Sequence, residues 1–321
     1  MSTVSIPSPV ATLKPRMAYL DNIRWTVIAM VVLTHACVTY SGLGLWYYKE
    51  PAVLDIASQI AFALYQIFAQ TFFMGILFFA AAVFVPGSYD RKGFGRFVGE
   101  RVFRLGVPSL VFMLLLDPLT NVIRDLGTGD FPGWASLLRR YPGYLASGSF
   151  LGASGPLWFA VALLVFSLIY AVVRLIASAI RGSGRFEVVS AEVELSPKAV
   201  HRTAVVLMAV IAAGSFLVRQ VQPFGTSWYN MQLCFFPQYI VLFVVGLWAG
   251  RRGFLRALPR KAGMMWLRLA FIVGVPTWFL LFAFGGALSG NQDAFGGGLH
   301  WQAGAYAAWE AFFAVSVSIG L

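Results

Sequence analysis

Apolar residues run along this chain in long blocks broken by short polar stretches, without the alternation of a half-buried strand. A helix needs ~20 mainly apolar residues to cross the hydrocarbon core of a bilayer. Blocks near that length fall at residues 23–42, 60–85, 102–123, 155–177, 203–218, 233–250, 266–288 and 303–321. The pattern predicts an all-α, polytopic membrane helix bundle with about eight spans in this chain. A tail over residues 1–18 precedes a single membrane domain over 19–321. The last block reaches Leu321 with no polar residue after it, so the chain is expected to stop inside a helix and to be a fragment.

Composition supports the same class. Hydrophobic residues make up 59% of the chain and charged residues 12%, with a mean hydropathy of +0.75, far from the globular balance. The first 18 residues lack an apolar core segment and the first block is too long for a cleaved signal, so that block is expected to remain as a span. A net charge of +11 would suggest nucleic acid in a soluble protein. Here the basic residues follow the loops. With the N-terminus placed in the cytoplasm, all 24 Lys and Arg fall on inside segments except Lys49, Arg124, Arg139, Arg140 and Arg219. The positive-inside rule therefore fixes an N-in topology and accounts for the charge without a nucleic-acid partner. Cys37 and Cys234 both lie in apolar blocks and read as small embedded residues, with no disulfide or metal-ligand spacing. No metal is called for.

Three connecting segments carry expectations. The aromatic-rich stretch 125–150 is expected to rest at the outer membrane surface, the polar stretch 181–198 to be a flexible inside connector, and the Gly-rich stretch 285–298 to be mobile. No internal repeat is visible.

Candidate chemistry begins on the first block. His35 is the histidine placed deep in the membrane, where ionisable groups are costly and usually face the protein interior. It reads either as a packing residue hydrogen-bonded to a neighbouring helix or as a general base, since imidazole titrates nearest neutrality. His201 and His300 fall at opposite interfaces and read as solvated. Arg24 shares a helix face with His35, since eleven residues make about three turns and a rise of ~16 Å. Alone, Arg24 is a topology anchor; Asp21, one turn earlier, can orient its guanidinium. Arg101 and Arg104, at i,i+3, present two guanidiniums on one face just before Gly106 and Pro108, where the helix is expected to bend. They read equally as snorkelling anchors or as a phosphate site. Glu310, about two turns into the last span, needs a partner or a proton. Asp117, in Leu116-Asp117-Pro118, is expected to cap or end a helix at the outer edge. Gln70 and Gln238 are mid-span amides that either line a polar cavity or bond between helices. Walker A, His-Glu-x-x-His, Cys-x-x-Cys and Gly-x-Ser-x-Gly patterns do not occur.

Tyr19-Leu20-Asp21-Asn22-Ile23-Arg24, followed by Val31-Val32-Leu33-Thr34-His35-Ala36, resembles the opening helix of the acyltransferase 3 family of bacterial membrane acyltransferases. That family includes O-antigen and peptidoglycan O-acetyltransferases and glucan succinyltransferases. Its pairing of a basic residue and a histidine across ten positions is matched by Arg24 and His35, and its Arg-x-x-Arg by Arg101 and Arg104. Phe72-Phe73-Met74-Gly75, Arg91-Lys92-Gly93 with Arg96-Phe97, and Gly155-Pro156-Leu157-Trp158-Phe159 are similar too. Members typically have about ten membrane helices, which fits a truncated chain.

The resemblance implies a multi-pass protein of the bacterial inner membrane that moves an acetyl, succinyl or similar group from acyl-CoA to a hydroxyl of a carbohydrate or lipid-linked acceptor. No cofactor is bound; acyl-CoA is a cosubstrate. On this reading His35 and Glu310 are catalytic, with His35 the base, Arg24, Arg101 and Arg104 receive the donor's phosphates, and Asp21 orients Arg24. The alternative is a proton-coupled transporter or flippase of an anionic or lipid-linked substrate, with His35 and Glu310 as a relay. Transporters often carry repeats, and none is seen here. A third possibility is a non-catalytic receptor or assembly partner. The oligomeric state is not legible.

Overall fold

The structure, a computed structural model, describes residues 18–44, 46–50, 53–181, 195–254 and 257–321. The N-terminal tail, most of the connector 181–198 and Arg256 lie outside the described residues. Among those described, the elements are helical throughout, apart from one isolated bridge between Trp228 and Met231. The long helices are α1 (Ala18–Ser41), α2 (Ile56–Val83), α3 (Val85–Thr128), α4 (Trp134–Ala146), α5 (Trp158–Arg181), α6 (Pro197–Val218), α7 (Phe236–Arg252), α8 (Arg260–Ser289) and α9 (Trp301–Gly320).

Seven of these (α1, α2, α3, α5, α6, α7 and α8, with short helical turns leading into α5 and α7) are long and apolar enough to cross a membrane. The eighth expected span, α9, is different. It carries Gln302, Glu310 and Ser316, all buried, and lies against α2, α6 and α8. A helix sheathed by others can hold polar groups that lipid would not tolerate. The outer faces are apolar, as the exposed Leu115, Ile123, Val173, Val205 and Ile272 show. The fold is therefore an all-α polytopic membrane bundle.

The seam between α2 and α7 organises the interior. Gly246 and Gly250, four apart on α7, meet the backbone of α2; a Cβ on Gly246 would lie 2.5 Å from the Phe79 carbonyl oxygen. Small residues at this spacing let membrane helices approach closely. The same seam carries a bond from Gln238 Nε2 to the Thr71 carbonyl (2.7 Å), so Gln238 is an interhelical tie. Aromatic residues fill the space beside it, with Phe78 packed on Phe159, Phe166 and Tyr239.

Prolines set the shape of α3 and α8. Each of three π-helical segments, Val102–Gly106, Phe112–Leu116 and Ala270–Gly274, ends two residues before a proline: Pro108, Pro118 and Pro276. Proline removes one N–H and crowds the carbonyl four residues back, and a widened turn absorbs that. Around Pro118 the orphaned carbonyls can be followed. Asp117 N–H is diverted to the Phe112 carbonyl, and Pro118 has no N–H for Leu114. The Tyr144 hydroxyl donates to the Met113 carbonyl (2.6 Å) and Tyr141 to that of Leu114 (2.7 Å). The aromatic stretch 125–150 thus satisfies a broken helix.

The sequence expectation for Asp117 changes here, and two further stretches gain a structure. The inside segment around Arg91 and Arg96 is helical, broken at Gly93 (φ 72°). The Gly-rich stretch 285–298 folds into short turns that bury Ala287, Ala294 and Phe295. Asp117 does not end a helix; α3 continues to Thr128, where Gly129 (φ 82°) closes it.

Candidate functional site

One cavity of about 840 Å³ opens among α1, α2, α3, α7, α9 and the loops at the bundle end remote from Arg24. His35 lines it. Helix α1 places His35 two turns before its C-terminus at Ser41, and the chain then reverses through Gly42 (φ 69°) and Gly44 (φ 103°), conformations that favour glycine. The return is fixed by Glu50 N–H donating to the Thr39 carbonyl (2.8 Å) and Lys49 Nζ to that of Gly42 (3.1 Å). This fold-back lays the Trp46 indole over the His35 imidazole, 4.2 Å between centroids and 17° from parallel. Among the described residues the imidazole has this stacking partner and no hydrogen-bond partner, so its nitrogens are available to a ligand. The packing reading of His35, which needs a neighbouring helix to bond it, has no such bond in its favour.

Tyr47 builds the next part of the wall. It meets Trp46 edge-on at 5.2 Å, and its hydroxyl donates to Asp117 Oδ1 (2.6 Å). Burial, then the bond to Asp117 and that carboxylate's charge, push the Tyr47 hydroxyl well above the ordinary tyrosine range, so it stays a donor. Asn121 Nδ2 donates to Asp117 Oδ2 (3.2 Å). Only glycine fits at 155: φ is 46°, and a Cβ there would come within 2.6 Å of the Tyr47 hydroxyl. Asn230, in a left-handed turn at φ 62°, clamps that segment through Nδ2 bonds to Ser154 Oγ (3.1 Å) and the Gly155 carbonyl (2.9 Å). Deeper in, Gln70 Nε2 donates to the Tyr239 hydroxyl (3.2 Å), and both residues line the cavity. The cavity wall therefore combines hydrogen-bonded polar groups with aromatic rings.

The remaining residues singled out from sequence lie elsewhere. Arg24 is 45% exposed, 4.0 Å from Asp21, at the far end of α1. Arg101 packs its guanidinium over Phe97 (5.2 Å), and Arg104, well exposed, is 4.0 Å from Glu100. None of these lines the cavity. The basic end of the bundle is tied together by Arg174 to Asp90 (3.1 Å) and Arg251 to the Tyr170 hydroxyl (2.7 Å), which join α3, α5 and α7.

Glu310 has the partner its burial demands. It ion-pairs with Arg219, the C-terminal cap of α6, and both side chains are essentially without solvent contact. The Arg219 guanidinium also lies over Phe224 (4.3 Å), Phe235 and Tyr306 (5.7 Å each), three rings that line the cavity. The pair itself stands behind that wall. Arg219, one of five exceptions to the inside rule, is thus a buried partner rather than a surface charge. His201 is engaged too, accepting from Trp266 Nε1 (3.2 Å), whereas His300 is exposed.

Trp46, Tyr47, Asn230 and Arg219 escaped the sequence reading. Trp46-Tyr47-Tyr48 after a span looks like an interfacial belt; the glycines at 42 and 44 are the signal that the chain turns back.

Comparison with curated proteins and with solved structures found no match. A family model described as an acyltransferase domain, that of acyltransferase 3, matches residues 17–321, essentially the whole membrane bundle. The chain belongs to this family of membrane acyltransferases.

Proposed function

We propose that the chain transfers an acyl group from acyl-CoA to a hydroxyl of a cell-envelope acceptor, carbohydrate or lipid-linked, with His35 as general base, in a bacterial inner membrane. The observation that carries this is His35 itself: an imidazole within a membrane span, facing a cavity of about 840 Å³ with no hydrogen bond to hold it among the described residues. The step is simple in its balance. His35 takes the acceptor's hydroxyl proton as the oxygen attacks the thioester carbonyl. The carbon–sulfur bond then breaks, and the CoA sulfur leaves with the proton that His35 returns. General-base help of this kind contributes ~10²–10⁴ in rate, and Trp46 stacked on the ring holds its orientation.

Basic residues at the other end of the bundle fit a donor carrying several phosphates, given the N-in orientation. Arg24, Arg101 and Arg104 are the residues assigned to it, with Asp21 orienting Arg24. The acyl arm then has to span the ~16 Å of α1 between Arg24 and His35. Glu310, behind the wall and bound to Arg219, enters as a positioning group for the rings of the cavity.

The test is thioester cleavage by the purified protein in nanodiscs, supplied with labelled acetyl-CoA with and without a sugar acceptor. Label appearing as an ester on the acceptor supports the reading. Intact acetyl-CoA under every condition contradicts it and returns the chain to transport or assembly.

A further inference from the structure

We propose that Asp117 is the acceptor-recognition group of this cavity and that it selects a neutral, polyhydroxyl acceptor, a reading that rests on the acyl transfer proposed above. Asp117 is a buried carboxylate, 9% exposed, in the wall of a membrane cavity. A carboxylate stripped of water is costly unless donors replace the water. Two do so, the Tyr47 hydroxyl on Oδ1 and the Asn121 amide on Oδ2. An ionised carboxylate has about four lone-pair sites, so roughly half its accepting capacity is left for a ligand.

Charge decides what that ligand is. Among the described residues no cation pairs with Asp117. Arg124, which lines the same cavity, is spent on Asp125 at 2.7 Å. An acceptor presenting phosphate or carboxylate here would meet an uncompensated negative charge, whereas hydroxyl donors would complete its shell. The neighbours agree: Asn121, Asn230 and Gln232 are neutral amides that both give and take hydrogen bonds, and Trp46 and Trp158 offer flat apolar faces. Carboxylate, amides and indole faces together suit a sugar ring, with polar edges and an apolar face.

Position makes the subsite useful. Asp117 holds Tyr47, Tyr47 abuts Trp46, and Trp46 lies on His35. The group that grips the acceptor and the base that deprotonates it are therefore joined through two consecutive residues. A ring anchored at Asp117 would direct a chosen hydroxyl toward His35.

The experiment uses the full chain in nanodiscs with labelled acetyl-CoA and three competing acceptors: methyl glucopyranoside, 1-propanol and water. The readout is the partition of label among sugar ester, propyl ester and free acetate, with the KM for the glucoside. In Asp117→Asn the ratio of sugar ester to free acetate falls about tenfold, through KM, and the ratio of sugar ester to propyl ester falls with it; loss of a hydrogen bond to a charged group has that size. Asn121→Ala, a milder change, lowers the same ratios about threefold. Thermal midpoints measured alongside separate this from misfolding. If Asp117→Asn lowers all three products by a common factor, or leaves the sugar ratio unmoved, the recognition role is overturned. Acylation of propanol but not of the glucoside by the unaltered protein also overturns it. Intact acetyl-CoA with every acceptor would instead bring down the acyl-transfer reading itself.

Discussion

Arg219 and Glu310 offer the sharpest energetic prediction. Both side chains are shielded from solvent, at 0% and 2% exposure. Removing one partner of such a pair strands a charge, at a cost of ~3–5 kcal/mol, whereas replacing both with apolar side chains is often neutral or stabilising. The two single changes are not equivalent. Glu310→Gln leaves a guanidinium that cannot shed its proton; its Nε and Nη1 already have no hydrogen-bond partner among the described residues. The rings of Phe224, Phe235 and Tyr306 remain to soften the loss, each cation–π contact being worth ~0.5–2 kcal/mol. Arg219→Met leaves a carboxylate that can take up a proton, so its cost falls below that of Glu310→Gln. The predicted order of thermal midpoints in nanodiscs, followed by tryptophan fluorescence, is Glu310→Gln lowest, then Arg219→Met, with the double methionine variant near the unaltered protein. Because the pair stands behind the cavity, where apolar side chains of similar volume can support the same rings, the double variant should also keep acyl transfer. A Glu310→Gln protein as stable as the parent, or a double variant no better than the worse single, would refute the electrostatic argument. A stable double variant without activity would place Glu310 in the chemistry instead.

Other consequences follow from particular contacts. Tyr144→Phe leaves the Met113 carbonyl without its donor, at ~1–3 kcal/mol, and should lower the thermal midpoint more than removal of an exposed tyrosine hydroxyl such as that of Tyr48; equal effects would count against the rescue of the Pro118 break. The Tyr144 hydroxyl, pushed up to about 12 by burial and then by the charge of Asp117, is more strongly protonated in the fold than in the unfolded chain, where tyrosine titrates near ~10. Its contribution is fully present below ~10 and lost as pH rises through about 12, so the midpoint of the parent should fall faster than that of Tyr144→Phe over this window; parallel curves would contradict the assignment. Gly246→Leu forces a side chain against the Phe79 carbonyl oxygen, where even a Cβ would lie 2.5 Å away, and should separate α2 from α7. Limited proteolysis that leaves this variant as resistant as the parent would deny the close crossing. Replacing Arg101 and Arg104 by Gln should raise the KM for acetyl-CoA about tenfold with kcat less affected, and to a smaller degree at high salt; an unchanged donor KM would remove them from the donor site.

The membrane class was legible from block length alone, because a bilayer imposes a length on every span. What the blocks could not convey was rank. Helix α9 looks like one more span in sequence, yet it lies at the centre, and its Glu310 is explained by a residue 91 positions away that sequence placed on the outer surface. His35 was legible as costly. The chain reversal that puts Trp46 over it depends on two glycines and a backbone bond from Glu50, which carry no hydrophobic signal. Asp117 was misread for a physical reason: Leu-Asp-Pro ordinarily marks a helix boundary, but here a π-helical turn lets the helix pass through the proline. Once the helix continues, the carboxylate becomes a wall of the cavity. The arginines were legible by spacing, and the structure sets them at the opposite end of the bundle from that cavity.

In the proposed reaction His35 activates the acceptor. The direct measurement is single-turnover acetyl transfer by His35→Gln and the parent, both in nanodiscs and both saturated with labelled acetyl-CoA. The variant keeps its size and membrane insertion, and its transfer rate should fall by ~10²–10⁴, the share of a general base, with donor binding retained. Transfer at the parental rate in the His35→Gln protein would show that His35 is not the base.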